Sequence, residues 1–340
     1  LTLPQTLDNL QRSPIQGLRN VTDTSDVDVK SHEMMLLSGT ANRPLAERIA
    51  EALGSTLCDV TIKRFADGEI FVRIDENVRG RDVFIIQPTA PPAENILELL
   101  LLLDAASRAS AARVTAVIPY YGYARQDRKD QPRVAIGAKL LANLISTAGA
   151  DRVVSIDFHQ HQLQAFFDIP VDHLYALPVF VEHFGTLELQ PLVLVASDVG
   201  AAKMVRGYAR RLGGEIAMID KRRPAPNVAE VVNVVGDVNG KTCLIPDDMI
   251  DTGGTVSEAV RALRERGAKK IFVCATHALL SGPAVARLSE LPITEIAVTD
   301  TIYVPEEKRF AGLRILPVAN LLARAIRYIH ENESVSSLFE

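Results

Sequence analysis

Two adjacent carboxylates at the end of an apolar run, followed by a turn rich in glycine and hydroxyls, mark Cys243-Leu244-Ile245-Pro246-Asp247-Asp248-Met249-Ile250-Asp251-Thr252-Gly253-Gly254-Thr255 as the strongest chemical signal in the chain. Such a turn can aim several backbone N–H groups and two hydroxyls inward, and a helix that starts behind it adds its positive end. Both features suit a phosphate dianion. Acids facing that phosphate would repel it, whereas acids set a little apart accept hydrogen bonds from sugar hydroxyls. The combination describes a sugar phosphate. The plainer alternative is a helix capped by Thr255 after an acidic turn, which needs neither paired acids nor paired glycines.

Other segments carry residue types that could serve chemistry, each with an everyday alternative. Lys221-Arg222-Arg223-Pro224-Ala225-Pro226 places three cations before two prolines that prevent a helix from continuing, so it reads as an extended or turning loop, either solvated or functional. Asp67-Gly68-Glu69 offers two acceptors around a glycine, and Arg125-Gln126-Asp127 a cation beside an amide and a carboxylate; both also fit polar surface loops. His159 follows the apolar run Val153–Ile156, where it is a polar cap or a ligand, and His161 reads as a surface residue. Two look-alikes drop out. Gly236-Asp237-Val238-Asn239-Gly240-Lys241-Thr242 has one residue too few between its glycines for a phosphate-binding P-loop, and a strand rather than a helix follows it, so it reads as a turn between strands. No Gly-x-Gly-x-x-Gly follows a strand, which removes the usual nicotinamide and flavin fingerprint.

These residues need a scaffold, and the pattern supplies one. Val83–Gln87, Val114–Ile118, Val153–Ile156, Leu192–Val195, Cys243–Ile245 and Ile271–Ala275 predict strands, and several intervening segments show apolar spacing of three and four. Behind the glycine turn, Val256, Ala259, Val260 and Leu263 fall on one helix face. That is an α/β protein with mostly parallel sheets. Strand, loop, helix and strand recur in matching order: after Val117-Ile118-Pro119 the helix ends at Gly149 and His159 follows, and after Leu244-Ile245-Pro246 it ends at Gly267 and His277 follows, ten positions from Gly to His in both. The match predicts two related domains with a seam near Ile169 to Pro178. Ligands of open α/β sheets gather at the carboxyl ends of strands, so both loops are candidate sites.

The composition of the 340 residues, 47% hydrophobic and 23% charged with 20 Gly and 18 Pro, excludes disordered, collagenous and disulfide-scaffold classes. A formal net charge of −5 speaks against a nucleic-acid binder that relies on a net positive field. Cys58, Cys243 and Cys274 form no CxxC pair and are odd in number, which predicts reduced thiols and a cytoplasmic address. Leu99–Leu103 is far shorter than the ~20 residues of a membrane span. Residues 1–33 lack the apolar core of a secretory signal and carry several acids, which does not fit an Arg-rich transit peptide; they read as a poorly ordered extension, with Leu1 as a trimmed start.

Asp247 to Thr255 resembles the phosphoribosyl-pyrophosphate motif shared by phosphoribosyltransferases and ribose-phosphate pyrophosphokinases. Further segments resemble the pyrophosphokinase family of class I alone: Arg64–Glu69, Asn77–Gly80, Tyr120–Arg128, Phe166–Pro170, Asp220–Pro224 and Ser334–Phe339. The similarity runs from about Leu36 to the end. It implies two similar doubly wound, mostly parallel-sheet domains of the phosphoribosyltransferase type, over 34–176 and 177–331, with 332–340 returning to the first. It further implies transfer of the β,γ-diphosphoryl group of Mg-ATP to O1 of ribose 5-phosphate, giving phosphoribosyl pyrophosphate and AMP.

By the same resemblance Lys221 and Arg223 stabilise the transition state. Phe65, Asp67, Gly68, Glu69, Arg125, Gln126 and Asp127 contact ATP, with the site shared between subunits. Arg223, Asp247, Asp248, Asp251, Thr252, Gly253, Gly254 and Thr255 hold ribose 5-phosphate, and His159 and Asp198 serve Mg²⁺. The family assembles as hexamers and responds to inorganic phosphate, a candidate activator, and to ADP at a site near Arg79 and Ser334–Phe339. Neither a nucleic acid nor a membrane is an expected partner. The chain departs from the family pattern at Ala201, where a second glycine is usual, at Met204 for Arg, at Ala135, Gly137 and Ala165, and at Pro246 for Val or Ile. A side chain at 201 can crowd a close backbone approach, and a proline is tolerated only at a strand end or edge. A catalytically silent regulatory homologue and a phosphoribosyltransferase are the competing readings.

Overall fold

The computed structural model describes residues 33–198, 200–222 and 231–338, with the backbone alone for 221, 222, 231 and 232. Arg223, Phe339 and, apart from Glu33, the expected N-terminal extension lie outside these residues. In the first half, β1 (Met34–Ser38) leads to α1 (Arg43–Leu53), an antiparallel hairpin of β2 (Val60–Arg64) and β3 (Ile70–Ile74), β4 (Asp82–Ile86), α2 (Glu94–Arg108), β5 (Arg113–Ile118), α3 (Gly137–Thr147), β6 (Arg152–Ile156) and β7 (Val171–Leu174). Five of these strands form a parallel sheet in the order β1-β4-β5-β6-β7. All five residues of β4 are buried, as both faces of such a sheet are covered.

In the second half come α4 (Leu177–Gly185), β8 (Leu192–Ala196), α5 (Ala202–Leu212), β9 (Glu215–Arg222), β10 (Val231–Val235), β11 (Thr242–Ile250), α6 (Gly254–Glu265), β12 (Lys270–Ala278), α7 (Ala284–Ser289), β13 (Glu295–Thr299), β14 (Leu313–Leu316) and α8 (Ala319–His330). The sheet order is β10-β9-β8-β11-β12-β13-β14, parallel except for β10. The six strands expected from sequence are all present, and the two strand–loop–helix–strand units are β5-α3-β6 and β11-α6-β12. The glycine-rich look-alike at 236–242 is the turn from β10 to β11.

Proline 246 alters one expectation, that a strand would end at Ile245. β11 instead runs on to Ile250, still paired with β12. The two-residue alternation explains it. Thr242 donates its N–H to Pro191 O on the β8 side, and Pro246 faces that same side. Pairing with β8 stops at Leu244, so the donor that Pro246 lacks is missed by no strand.

Alternation also sorts the core. Val83, Ile85 and Val153 face α2 and α3, while Val193, Val195, Cys243 and Ile245 face α6. The opposite sides of both sheets, with Phe84, Ile86, Val154, Leu194 and Leu244, enter one shared cluster with α1, α4, α5 and α8. Helix α8 packs on α1, and Arg113 binds Asp82 while donating to Ile329 O and Asn332 Oδ1. Among the described residues, no helix is long and apolar enough to cross a membrane.

Candidate active site

The order in which strands are added to the second sheet reverses between β8 and β11, the kind of switch point at which α/β proteins bind ligands. Beyond Leu244 the two strands part, and a cleft of ≈ 520 Å³ opens there, lined among others by His159, His161, Tyr175, Asp198, Asp247 and Asp248. His159 belongs to the loop after β6 of the first sheet, Asp198 follows β8, and the acid pair lies within β11. His161, expected at the surface, is exposed but lines this cleft.

His159 Nδ1 lies 2.7 Å from Asp248 Oδ2, which leaves Nε2 as the ring nitrogen for a ligand. The Asp248 contact raises the His159 pKa against the cost of burial. Burial opposes charge on Asp248, yet the His159 contact holds it below the usual carboxylate range. Asp247 behaves oppositely: burial, then the neighbouring Asp248 charge, push it well above that range. One acid is therefore an anionic acceptor and its neighbour can hold a proton, a pairing able to accept from and donate to adjacent sugar hydroxyls. Asp198 Oδ1 accepts from Ala201 N at 2.9 Å, and Ala201 has φ −73° and ψ −11°, a conformation open to any residue.

The turn behind the acids differs from the plain capping alternative. α6 begins at Gly254, Gly253 occupies the cap position at φ +72°, and no side chain caps the first turn. Thr255 thus sits inside the helix. The expected face, Val256, Ala259, Val260 and Leu263, is buried. Arg287 Nη1 holds Thr252 O at 2.8 Å, and Ser257 Oγ donates to Gly253 O at 2.7 Å, so the turn is braced from outside while its leading amides stay available to an anion. Asp251 is held below the usual carboxylate range by Ser281 and Arg125, against the cost of partial burial.

That Arg125–Asp251 ion pair, at 2.8 Å, brings the loop after β5 onto the turn after β11. The loop is set by a close approach: Gly122 N donates to Thr89 Oγ1, and a Cβ at Gly122 would meet Thr89 O at 2.3 Å. Gln126 and Asp127 follow on the same loop; Gln126 is exposed and Asp127 half-buried. Phe65, Asp67, Gly68 and Glu69 stand elsewhere, at the tip of the β2–β3 hairpin, where Phe65 is 49% exposed and none of the four lines the cleft. Lys221 is not in a free loop: it pairs with Val232 near the end of β9.

Sequence reasoning gave no site role to four residues, Asp157 and Thr276 in the cleft wall and His173 and His277 outside its lining. The matched Gly-to-His spacing pointed at His277, but that position lies in β12 and is buried, unlike its counterpart His159. Burial lowers the His277 pKa to about 4 and that of His173 to about 3, while burial raises Asp157 to about 6. His173 Nε2 accepts from Phe158 N at 2.9 Å, which demands a neutral ring. Its folded pKa lies below the unfolded value, so its contribution is present above about pH 6.5 and is lost as pH falls. Between pH 7 and pH 4 the protein is expected to lose about 3 kcal/mol more stability than a His173→Gln variant, measured by urea unfolding at each pH.

Comparison with known proteins settles the family. A model of the N-terminal domain of ribose phosphate pyrophosphokinase matches residues 34–149, and one of the phosphoribosyl synthetase-associated domain matches 220–340. A ribose-phosphate pyrophosphokinase of Chlorobaculum tepidum is 50% identical over 306 residues, 90% of this chain and 94% of the relative. The chain belongs to the ribose-phosphate pyrophosphokinase family. The Gloeobacter violaceus pyrophosphokinase is 49% identical over 97% of both chains. The crystal structure of phosphoribosylpyrophosphate synthetase from Mycobacterium smegmatis superposes with a TM-score of 0.84 at 45% identity, covering 88% of this chain and 99% of that one. The pyrophosphokinase fold, α/β with mostly parallel sheets, is thus shared across the chain.

Proposed function

We propose that this chain is an active ribose-phosphate pyrophosphokinase whose reaction takes place where the loop after β6, the end of β8 and the β11–α6 segment meet. The observation that carries the reading is the convergence of His159, Asp198 and the Asp247–Asp248 pair beside a braced, uncapped helix start. The amides and hydroxyls of Thr252–Thr255 take the 5-phosphate, and Asp247 and Asp248 hold the ribose hydroxyls. O1 then points across the cleft toward the nucleotide. As the O1–Pβ bond forms, the bond from Pβ to the α,β-bridging oxygen breaks, O1 loses its proton and AMP departs. Charge spreads over the transferred group, and Lys221 and Arg223 meet it there.

Asp198 and His159 are a sparse donor set, and among the described residues no three His, Cys, Asp or Glu side chains converge on a metal cage. A sparse set suits Mg²⁺ that arrives on nucleotide phosphates, because that ion keeps waters and takes only one or two protein ligands. Bound there, Mg²⁺ would neutralise charge on the phosphoryl oxygens. Arg125, Gln126 and Asp127 contact ATP from the adjoining loop. The hairpin tip bearing Phe65, Asp67, Gly68 and Glu69 lies outside this chain's cleft, which supports a nucleotide site completed by a second copy in a homo-oligomer, a hexamer by family resemblance. Residues 34–176 and 177–331 are read as the two domains, with 332–340 returning to the first; inorganic phosphate is the proposed activator. The free thiols support a cytoplasmic address. Ala201 occupies a conformation that glycine is not needed to reach, which favours an active enzyme over a silent homologue.

Phosphorus NMR of the protein with ribose 5-phosphate, ATP, Mg²⁺ and inorganic phosphate tests the reading. AMP and a sugar-linked diphosphate signal should grow equally, and chelation of Mg²⁺ should stop both. Bound substrates without turnover would instead identify a regulatory homologue.

A further inference from the structure

We propose that Thr276, His277 and Asp157 form a clasp that positions His159 for the reaction by fixing the end of β6 against β12, the strand that pairs with β11. This rests on the reading that His159 and Asp248 belong to the reaction site. Thr276 Oγ1 donates to Asp157 Oδ2 at 2.7 Å, and Ala176 N donates to the same oxygen at 3.0 Å. His277 Nε2 lies 3.1 Å from both Ile156 O and Asp157 O, so it is the protonated ring nitrogen and donates to both carbonyls. Its Nδ1 is 2.9 Å from Thr301 Oγ1, which fixes the ring, and the Tyr120 ring packs against it at 4.8 Å.

The backbone needs such a grip. Asp157 has φ +41°, in the left-handed region that a non-glycine residue occupies only when its surroundings hold it there. That turn re-aims the chain after β6, and His159 follows two residues on. The other end of the clasp is equally informative. β12 carries Thr276 and His277, and it is also the strand in register with β11, pairing Ala275 with Asp247 and His277 with Met249. One strand therefore holds both sides of the His159–Asp248 contact, the acid through the ladder and the imidazole through Asp157. A slip of the β6 end relative to β12 would open the 2.7 Å contact directly. Misplacement by about 1 Å at a reacting centre can cost up to about a hundredfold in rate.

Thr276→Val tests the clasp, because valine keeps the volume and suits a strand but lacks the hydroxyl, whereas Thr276→Ser keeps the hydroxyl. For Thr276→Val we expect kcat to fall about tenfold, with KM for ribose 5-phosphate and ATP within about twofold and a melting temperature lowered by only a few degrees, the protein still folded at the assay temperature. Thr276→Ser should recover most of the lost rate, and a crystal structure of Thr276→Val should show His159 displaced from Asp248. Full turnover by Thr276→Val, or a Thr276→Ser variant as slow as Thr276→Val, overturns the proposal. Should the unaltered protein make no phosphoribosyl pyrophosphate, the functional reading fails, and the clasp is judged on the crystal structure: a displaced His159 supports it and a retained contact refutes it.

Discussion

Lys221→Ala lowers the rate of AMP formation by about a thousandfold and leaves the melting temperature where it was. Diphosphoryl transfer asks little covalent chemistry of a protein; it asks for fixed cations where negative charge spreads in the transition state. Lys221 stands near the end of β9, paired to Val232, so its backbone is held by the ladder. Removing a group that acts only in the transition state depresses kcat and kcat/KM together. Steady-state kinetics at saturating ATP and ribose 5-phosphate, beside a thermal melt, read both quantities. Undiminished activity would remove this segment from catalysis.

Gly253→Val is the second large effect, and it acts through the substrate. The cap position before α6 holds φ +72°, and an added Cβ would meet Leu288 Cγ at 3.1 Å. A β-branched residue there costs about 1–2 kcal/mol in backbone strain alone, and relief of that strain rotates the leading amides of α6. We expect KM for ribose 5-phosphate to rise about a hundredfold, more than KM for ATP. Gly254→Ala is the control for the fold, since position 254 is helical and its Cβ would make only ordinary contact with Arg287; its stability should stay within about 1 kcal/mol. Calorimetric titration with ribose 5-phosphate separates lost affinity from lost fold, and unchanged affinity in Gly253→Val would mean that the phosphate sits elsewhere.

The scaffold was legible because it rests on local pattern: six β-branched runs became strands, and the apolar face after the glycine turn became the buried face of α6. The repeated strand–loop–helix–strand unit was legible too, since its punctuation by Gly149 and Gly267 is local. The length of β11 was not, because whether a proline ends a strand depends on which neighbour its missing donor faces, and that neighbour, β8, lies about fifty residues upstream. The plainer alternative for the start of α6, a helix capped by Thr255, fails for a related reason. Thr255 is the better capping residue by type, but the αL backbone of Gly253 and the brace from Arg287 set the helix start two residues earlier. Thr276 and Asp157 gave no signal, because a threonine in a strand and an acid after one are commonplace until the fold brings them 2.7 Å apart. The motif residues divided likewise: His159, Asp198, Asp247 and Asp248 meet in one cleft, while none of the hairpin tip at 65–69 lines it.

The hydrophobic cluster that runs unbroken from Phe84 and Val154 through α1, α4 and α8 to Leu194 and Leu244 has a mechanical meaning. A clamshell enzyme closes by rotating two lobes about a thin hinge, and such rotation requires an interface that can slide or part. Here the interface is itself a densely packed core, and cores of that density resist shear as a crystal does. The two sheets behave as one anvil, and any closing over substrate falls to the segments that connect the strands at its rim.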